Sequence, residues 1–189
     1  MLTNLHNQSI IKMKKSLQSV IVPYGLTLGV ISILITVLIY ALNLELFTKW
    51  YVTVINLAIV LVIGIMAVKQ VKAIDPEPFF SFKSAFSAFF FTVLLGSVIS
   101  IVFTGILFNF IDSEAAKYVQ EMTLEASREM MEKFGAQQAQ IDAAIAQQEG
   151  NNPFGWKNLF MGFAFSIVLY AILSLIIAAI FKEKDPNRA

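Results

Sequence analysis

The sequence predicts an all-α integral membrane protein with four transmembrane helices and an extracytoplasmic αα-hairpin between spans three and four. Hydrophobic residues make up 57% of the 189 residues and charged residues 14%, which is typical of a membrane protein. Four long runs contain no Asp, Glu, Lys, Arg or His, and a bilayer crossing takes roughly 20 helical residues. Because backbone polar groups in lipid must be satisfied within their own segment, we expect each run to be a helix.

The uncharged runs divide the chain into tails, spans and one long polar segment. The predicted spans are Val20–Leu42, Trp50–Val68, Ser84–Ile111 and Leu159–Phe181. The predicted organisation is therefore a cytoplasmic N-terminal tail over 1–19, spans one to three within 20–111, the external hairpin over 112–157, span four within 158–181 and a cytoplasmic C-terminal tail over 182–189.

Small and hydroxyl residues in span one recur at helical spacing, from Gly25 and Gly29 to Ser32 and Thr36. Small residues let helix backbones approach closely in lipid, so this face is predicted to meet another helix. The alternative, a ligand crevice lined by hydroxyls, is the less favoured interpretation. The seven residues that follow, 43–49, are too few for anything but an antiparallel connection to span two.

Span two begins with Trp50 and Tyr51, whose rings favour the headgroup level of the bilayer. Asn56 lies about two turns inside this span and predicts an interhelical hydrogen bond. After the span, prolines at 76 and 78 exclude a continuous helix, because each proline pushes its predecessor out of the α region. Phe79 to Ser84 then predicts an amphipathic segment at the membrane interface that leads into span three.

Spans three and four each carry a row of small residues at four-residue intervals. Gly96 and Ser100 belong to the row in span three, and Gly162 and Ser166 to the row in span four. Such rows typically mark close helix packing in membranes. The predicted helix-packing residues of the whole chain are Gly25, Gly29, Gly96, Ser100, Gly162 and Ser166.

The polar segment predicts a helical hairpin. Asp112 and Ser113 precede Glu114 as a helix start, and Gly135 is a typical helix stop. Apolar residues recur at helical spacing from Ala115 to Phe134, and a second, shorter helix is predicted over 136–148. Four apolar residues are expected to bury against each other, the membrane surface or a partner, and they form the predicted interaction surface: Met122, Met130, Phe134 and Ile145.

Basic residues are unevenly distributed between the two sides of the predicted membrane. Three Lys or Arg residues precede span one, three lie between spans two and three, and three follow span four. The other side has Lys49 in the first loop and four basic residues within the long acidic segment. Because basic residues favour the cytoplasmic side, both termini are predicted to be cytoplasmic and the hairpin external.

Several classes of function are disfavoured. The chain has no cysteine, so disulfide and thiolate chemistry are excluded, and its formal net charge of +1 argues against a nucleic-acid partner. The spans offer no acid, base, nucleophile or metal ligand, so we expect no enzymatic activity, catalytic residue or cofactor. Glu121, Glu125 and Glu129 share one helical face, but a solvated face is the favoured interpretation over a metal site, because a hard cation wants more oxygen ligands.

Four stretches resemble a bacterial family of integral membrane proteins catalogued as domain of unknown function 4199. The sequence 82–86, FKSAF, is similar to the family's entry to its third span, and 109–112, NFID, to its exit, although Ser113 stands where the family usually has proline. The sequence 128–133, REMMEK, followed by Gly135, is similar to the family's hairpin, and 174–182 to its last span. The resemblance implies four spans and no assigned activity.

The leading functional hypothesis is a non-enzymatic structural or accessory protein of the bacterial inner membrane. Its external hairpin would contact a protein partner or the membrane surface, and copies of the chain could associate through the spans or the hairpin. The alternative is a small oligomeric transporter, channel or lipid-binding protein. The absence of ionisable residues within the uncharged runs disfavours ion-coupled transport.

Overall fold

The computed structural model describes residues 2–75 and 77–183, with side chains from residue 17 onward. Within this part of the chain every regular element is helical, so the predicted all-α fold class is confirmed. The predicted C-terminal tail beyond 183, and most side chains of the N-terminal tail, lie outside the described residues. The elements are α1 (Leu2–Leu42), a 3₁₀-helix (Leu44–Thr48), α2 (Trp50–Ile74), α3 (Phe82–Ile106), a π-helix (Leu107–Ile111), α4 (Ser113–Lys133), α5 (Gln138–Gln148) and α6 (Trp156–Phe181).

Four helical segments are long and apolar enough to cross a membrane. They are Leu17–Leu42, Trp50–Ile74, Phe82–Ile111 and Trp156–Phe181. The four predicted spans are confirmed, and the chain is a multi-pass membrane protein whose spans lie in lipid. Span two is longer than predicted, because α2 continues through Lys69 and Lys72 to Ile74, where the lysine side chains can extend toward the headgroups.

Helix α3 is the centre of the bundle and packs against α1, α2 and α6. A Cβ atom built on Gly25 would lie 2.8 Å from the Leu95 side chain, and one built on Gly96 would lie 2.7 Å from Leu28. Contacts between α1 and α3 therefore follow the same order along both helices, so the two helices run parallel. Close backbone approach at glycine is the usual way for membrane helices to gain dispersion contacts.

The bundle has two distinct ends, which we call the hairpin end, where α4 and α5 lie, and the tail end, where α2 and α6 finish. Packing of α2 and α6 is concentrated toward the tail end. The buried residues of α2 begin only at Val60, and those of α6 begin only at Ser174. The hairpin-end half of α2 is much more open, since all six residues over 53–58 are exposed.

The connection between α2 and α3 differs from the amphipathic segment predicted over Phe79 to Ser84. Phe80 is 2% exposed and belongs to the main hydrophobic core, so its ring packs inside the bundle and does not face lipid. The physical reason is a contact that the sequence did not reveal: the backbone N–H of Phe80 donates to Glu183 Oε2 at 2.9 Å. The Glu183 backbone N–H donates in turn to the Phe80 carbonyl at 2.9 Å.

Glu183 also closes the tail end of the bundle through an ion pair. Its Oε1 lies 2.8 Å from Lys72 Nζ on α2. The hydrogen bond from Lys72, followed by the one from the Phe80 backbone, lowers the pKa of the Glu183 carboxyl below its ordinary value. One side chain thus joins the residues after α6 to both α2 and the α2–α3 connection.

Candidate functional site

A hydrogen bond between the side chains of Tyr40 and Asp112 joins the end of α1 to the start of α4. The Tyr40 hydroxyl donates to Asp112 Oδ2 at 2.8 Å. Asp112 is also the N-cap of α4, because its Oδ1 accepts from the Ala115 backbone N–H at 2.9 Å. The Ala115 hydrogen bond, and then the Tyr40 one, lower the pKa of the Asp112 carboxyl. The predicted helix start is confirmed, and the same residue anchors the hairpin to span one.

Four aromatic rings pack beneath this hydrogen bond. Phe108 and Phe154 stack with ring centroids 3.9 Å apart, and Phe47 meets both rings edge to face. Tyr40 meets Phe108 in the same edge-to-face manner. Such aromatic pairs stabilise beyond the area that they bury. We call Tyr40, Phe47, Phe108 and Phe154 the aromatic joint; it brings together the first loop, α1, the end of span three and the residues before α6.

The π-helix over Leu107–Ile111 determines which rings point inward at the joint. The Asp112 backbone N–H donates to the Leu107 carbonyl at 2.8 Å. Phe108 is fully buried, whereas Phe110 is 74% exposed. Asn109 donates its side-chain N–H groups to the carbonyls of Gly105 and Phe154, each at 2.8 Å. Single π-turns frequently occur at functional sites, and here the turn changes the chain direction from span three to α4.

Helices α4 and α5 pack on each other through α5 isoleucines. Ile141 and Ile145 are both buried, and Arg128 on α4 lies 3.5 Å from Asp142 on α5. Gly135 lies between the helices with a φ of +76°. The Gly135 backbone N–H donates to the Glu132 carbonyl, and a glycine in this left-handed conformation is a usual helix stop. The second helix begins at Gln138 rather than at 136 as predicted.

The predicted interaction surface does not form one face. Ile145 is 5% exposed because it packs against α4. Of the alternatives that the sequence allowed, it buries within the hairpin, so it does not belong to a surface available to a partner. Met122 is partly buried. Met130 and Phe134, by contrast, are exposed at the far end of α4, Phe134 by 85%. Of the four predicted residues, only Met130 and Phe134 are exposed.

The predicted packing glycines differ in where they lie. Gly25, Gly29 and Gly96 lie between α1 and α3, and Ser100 is partly buried on α3. Gly162 has no neighbouring atom within 4 Å of a built Cβ.

Among the residues that the structure describes, Gly162 therefore makes no close helix contact, contrary to the prediction, whereas Ser166 is partly buried. The Ser166 hydroxyl donates to the Gly162 carbonyl of its own helix at 2.8 Å. Helix α6 buries Ser174 and Ala178 instead. A row at four-residue spacing turns by about 40° per step around a straight helix, so the row leaves the contact before it reaches Gly162.

Sequence reasoning missed the aromatic joint. Its rings come from three separated parts of the chain, around 40–47, at Phe108 and at Phe154, and no periodic pattern connects them. One signal was available, because the NFID stretch over 109–112 marks an abrupt change from apolar to polar sequence. Such a change places Asn109 and Asp112 at a membrane boundary, where the ends of neighbouring spans must meet.

The hairpin end also contains an open cavity of about 430 Å³ on α4. It is lined by Lys117, Gln120, Glu121 and Glu149 among others. No group of three or more His, Cys, Asp or Glu side chains lies close enough to hold a metal ion in the part of the chain that the structure describes. On the helical face shared by three glutamates, Glu129 Oε2 lies 3.5 Å from Lys133 Nζ.

Asp112 gives the hairpin base a predictable response to acid. The pKa of the Asp112 carboxyl is lowered in the folded protein. In the unfolded chain an aspartate has a pKa of about 4. The carboxylate therefore stabilises the fold fully above that pH, and this stabilisation is lost as the pH falls through the folded-state pKa. We expect Asp112→Asn to lower the melting temperature near neutral pH. The difference in melting temperature between the variant and the wild type should become smaller as the pH is lowered. Thermal melts across this pH range test the expectation, and a difference of constant size would contradict it.

Comparison with known proteins places the chain in a family. No curated protein and no solved structure matches it. A family model described as "Protein of unknown function (DUF4199)" matches residues 23–183, which covers α2 to α6 and most of the first span. The resemblance seen in the sequence is thereby confirmed, and the chain belongs to the DUF4199 family of proteins of unknown function.

Proposed function

We propose that the protein is a non-enzymatic structural or accessory protein of the bacterial inner membrane, with both termini cytoplasmic and an external hairpin that contacts a protein partner or the membrane surface. The observation that carries this proposal is the exposure of Phe134 at the far end of α4. Its side chain is 85% exposed, whereas the base of the same helix is packed against the spans. Ala115, Ala116 and Val119 at the base are buried.

The contrast between the two ends of α4 supports a role in contact. At the base, Tyr40 and the aromatic joint attach the helix to the spans. At the far end, Met130 and Phe134 are 57% and 85% exposed. A large aromatic side chain presented on a supported helix is the kind of group that anchors protein interfaces, because little ordering is then required on binding.

Charge placement within the spans supports this proposal over ion-coupled transport. In the four membrane-spanning segments that the structure describes, charged residues lie only near the ends, at Lys69, Lys72, Lys83 and Lys157. Transporters that couple to ions or protons usually place ionisable residues deep in the membrane. A contact role needs no such residues.

Photocrosslinking from position 134 tests the proposal. A photoreactive phenylalanine analogue at Phe134 is expected to form one discrete adduct with a protein or with lipid in native membranes. The same analogue at Phe110, which is 74% exposed beside the spans, is the matched control and should yield lipid adducts only.

Two outcomes would contradict the proposed role. One is the absence of any specific adduct at position 134 when position 110 reacts normally. The other is solute flux through reconstituted vesicles that Phe134→Ala leaves unchanged, since this flux would instead support the pore or transporter alternative. Both experiments use the full chain, so a failed fold would be visible as loss of the Phe110 adduct.

A further inference from the structure

Asn56 carries an unsatisfied carboxamide inside the membrane. It lies on α2, six residues after Trp50, and is therefore about 9 Å deeper along the helix. The sequence predicted an interhelical hydrogen bond for it, but within the part of the chain that the structure describes Asn56 is exposed and makes no side-chain hydrogen bond. A polar group facing hydrocarbon without a partner is costly, so a partner outside this chain is indicated.

The position of Asn56 on α2 shows where that partner must approach. Asn56 precedes Val60, Gly64 and Val68 at four-residue intervals, and these three residues are buried in the bundle. Gly64 faces Phe89 of α3, 2.5 Å from a built Cβ. The row thus continues the packing side of α2 into the half of the helix where residues 53–58 are exposed.

The residues around Asn56 suit a second membrane helix. Thr53 and Ala58 are exposed, and small residues allow two backbones to approach closely in lipid. Ile55 and Leu57 are 54% and 44% exposed and would provide dispersion contacts on either side. Hydrocarbon chains could cover these apolar residues, but they offer no donor or acceptor to Asn56.

We propose that a second copy of this chain covers the hairpin-end half of α2, with the two Asn56 carboxamides hydrogen-bonded to each other across a two-fold axis. A carboxamide has both donor N–H groups and an acceptor oxygen, so it is complementary to itself. In a two-fold dimer each residue on the axis meets its own copy. The same chemistry satisfies both copies at once, without a further protein.

Association of labelled protein in phosphatidylcholine vesicles tests the dimer. Resonance energy transfer between donor- and acceptor-labelled copies should fall as lipid dilutes the protein and should give a dissociation constant. Asn56→Leu is expected to raise this constant about tenfold, while Asn56→Gln, which keeps the carboxamide, should retain most of the association. Thr27→Val is a matched control, because Thr27 is also exposed on a span but donates to Pro23 of its own helix, and it should leave the constant unchanged.

Disulfide crosslinking provides the second measurement, since the natural chain has no cysteine. Thr53→Cys should give a covalent dimer in native membranes under mild oxidation. Val168→Cys, which is 57% exposed on α6, should not. Energy transfer at the random level for the wild type, or equal association of wild type and Asn56→Leu, would overturn the proposal and leave lipid as the cover of α2. Dimer formation by Val168→Cys instead of Thr53→Cys would overturn the assigned surface.

Discussion

Replacing Phe108 with alanine is expected to destabilise the protein by roughly 3 to 5 kcal/mol, the range for large aromatic residues removed from well-packed cores. Phe108 is fully buried and touches three other rings of the aromatic joint. Its loss would leave a cavity between the first loop, α4 and the residues before α6. Because these segments meet in the apolar cluster around Phe108, the base of α4 should loosen before the spans separate.

The matched control for this substitution lies two residues further on. Phe110 belongs to the same π-helix but is 74% exposed, so Phe110→Ala should change the stability far less. Chemical denaturation in mild detergent gives the stability difference, and amide hydrogen exchange in α4 shows where structure is lost. Equal stability losses for the two variants would contradict the assigned role of Phe108.

Gly96→Leu is expected to destabilise the protein by roughly 1 to 3 kcal/mol, as overpacking of a filled core does. Even a Cβ atom at Gly96 would lie 2.7 Å from Leu28 on α1. The two helices would have to separate, and the neighbouring contacts at Gly25 and Gly29 would be lost with them. The thermal unfolding midpoint in detergent is the measurement.

Gly162→Leu is the control for Gly96→Leu, because both substitutions place the same side chain in the interior of a spanning helix. Gly162 has open space around its Cβ position, so the variant should retain the wild-type midpoint. If both variants melt alike, the effect reflects leucine in a helix rather than the contact between α1 and α3.

The parts of the fold that sequence predicts well are those fixed by local physics. Uncharged runs long enough to cross a bilayer require helices wherever they occur, so all four spans were identified. Asp112 as an N-cap and Gly135 as a helix stop follow from side-chain oxygens and backbone freedom at single positions, and both occur where predicted. These features do not depend on which helix lies beside which.

The predictions that were wrong or left open depend on neighbours that the sequence does not identify. Phe80 is buried because Glu183, over one hundred residues later, holds its backbone. Ile145 is buried because α5 folds back on α4, and Gly162 is open because α6 contacts α3 further along. The aromatic joint is of the same kind, since its rings come from three separated parts of the chain.

The proposed topology places the hairpin outside the membrane, on the opposite side from the chain termini, with its far end open to contact. Single-cysteine labelling tests it directly, because the natural chain has no cysteine to remove. In intact bacterial cells a membrane-impermeant maleimide should label Phe134→Cys rapidly. It should label Ala189→Cys only after the membrane is permeabilised. Labelling of Ala189→Cys in intact cells, with Phe134→Cys protected until permeabilisation, would contradict the account.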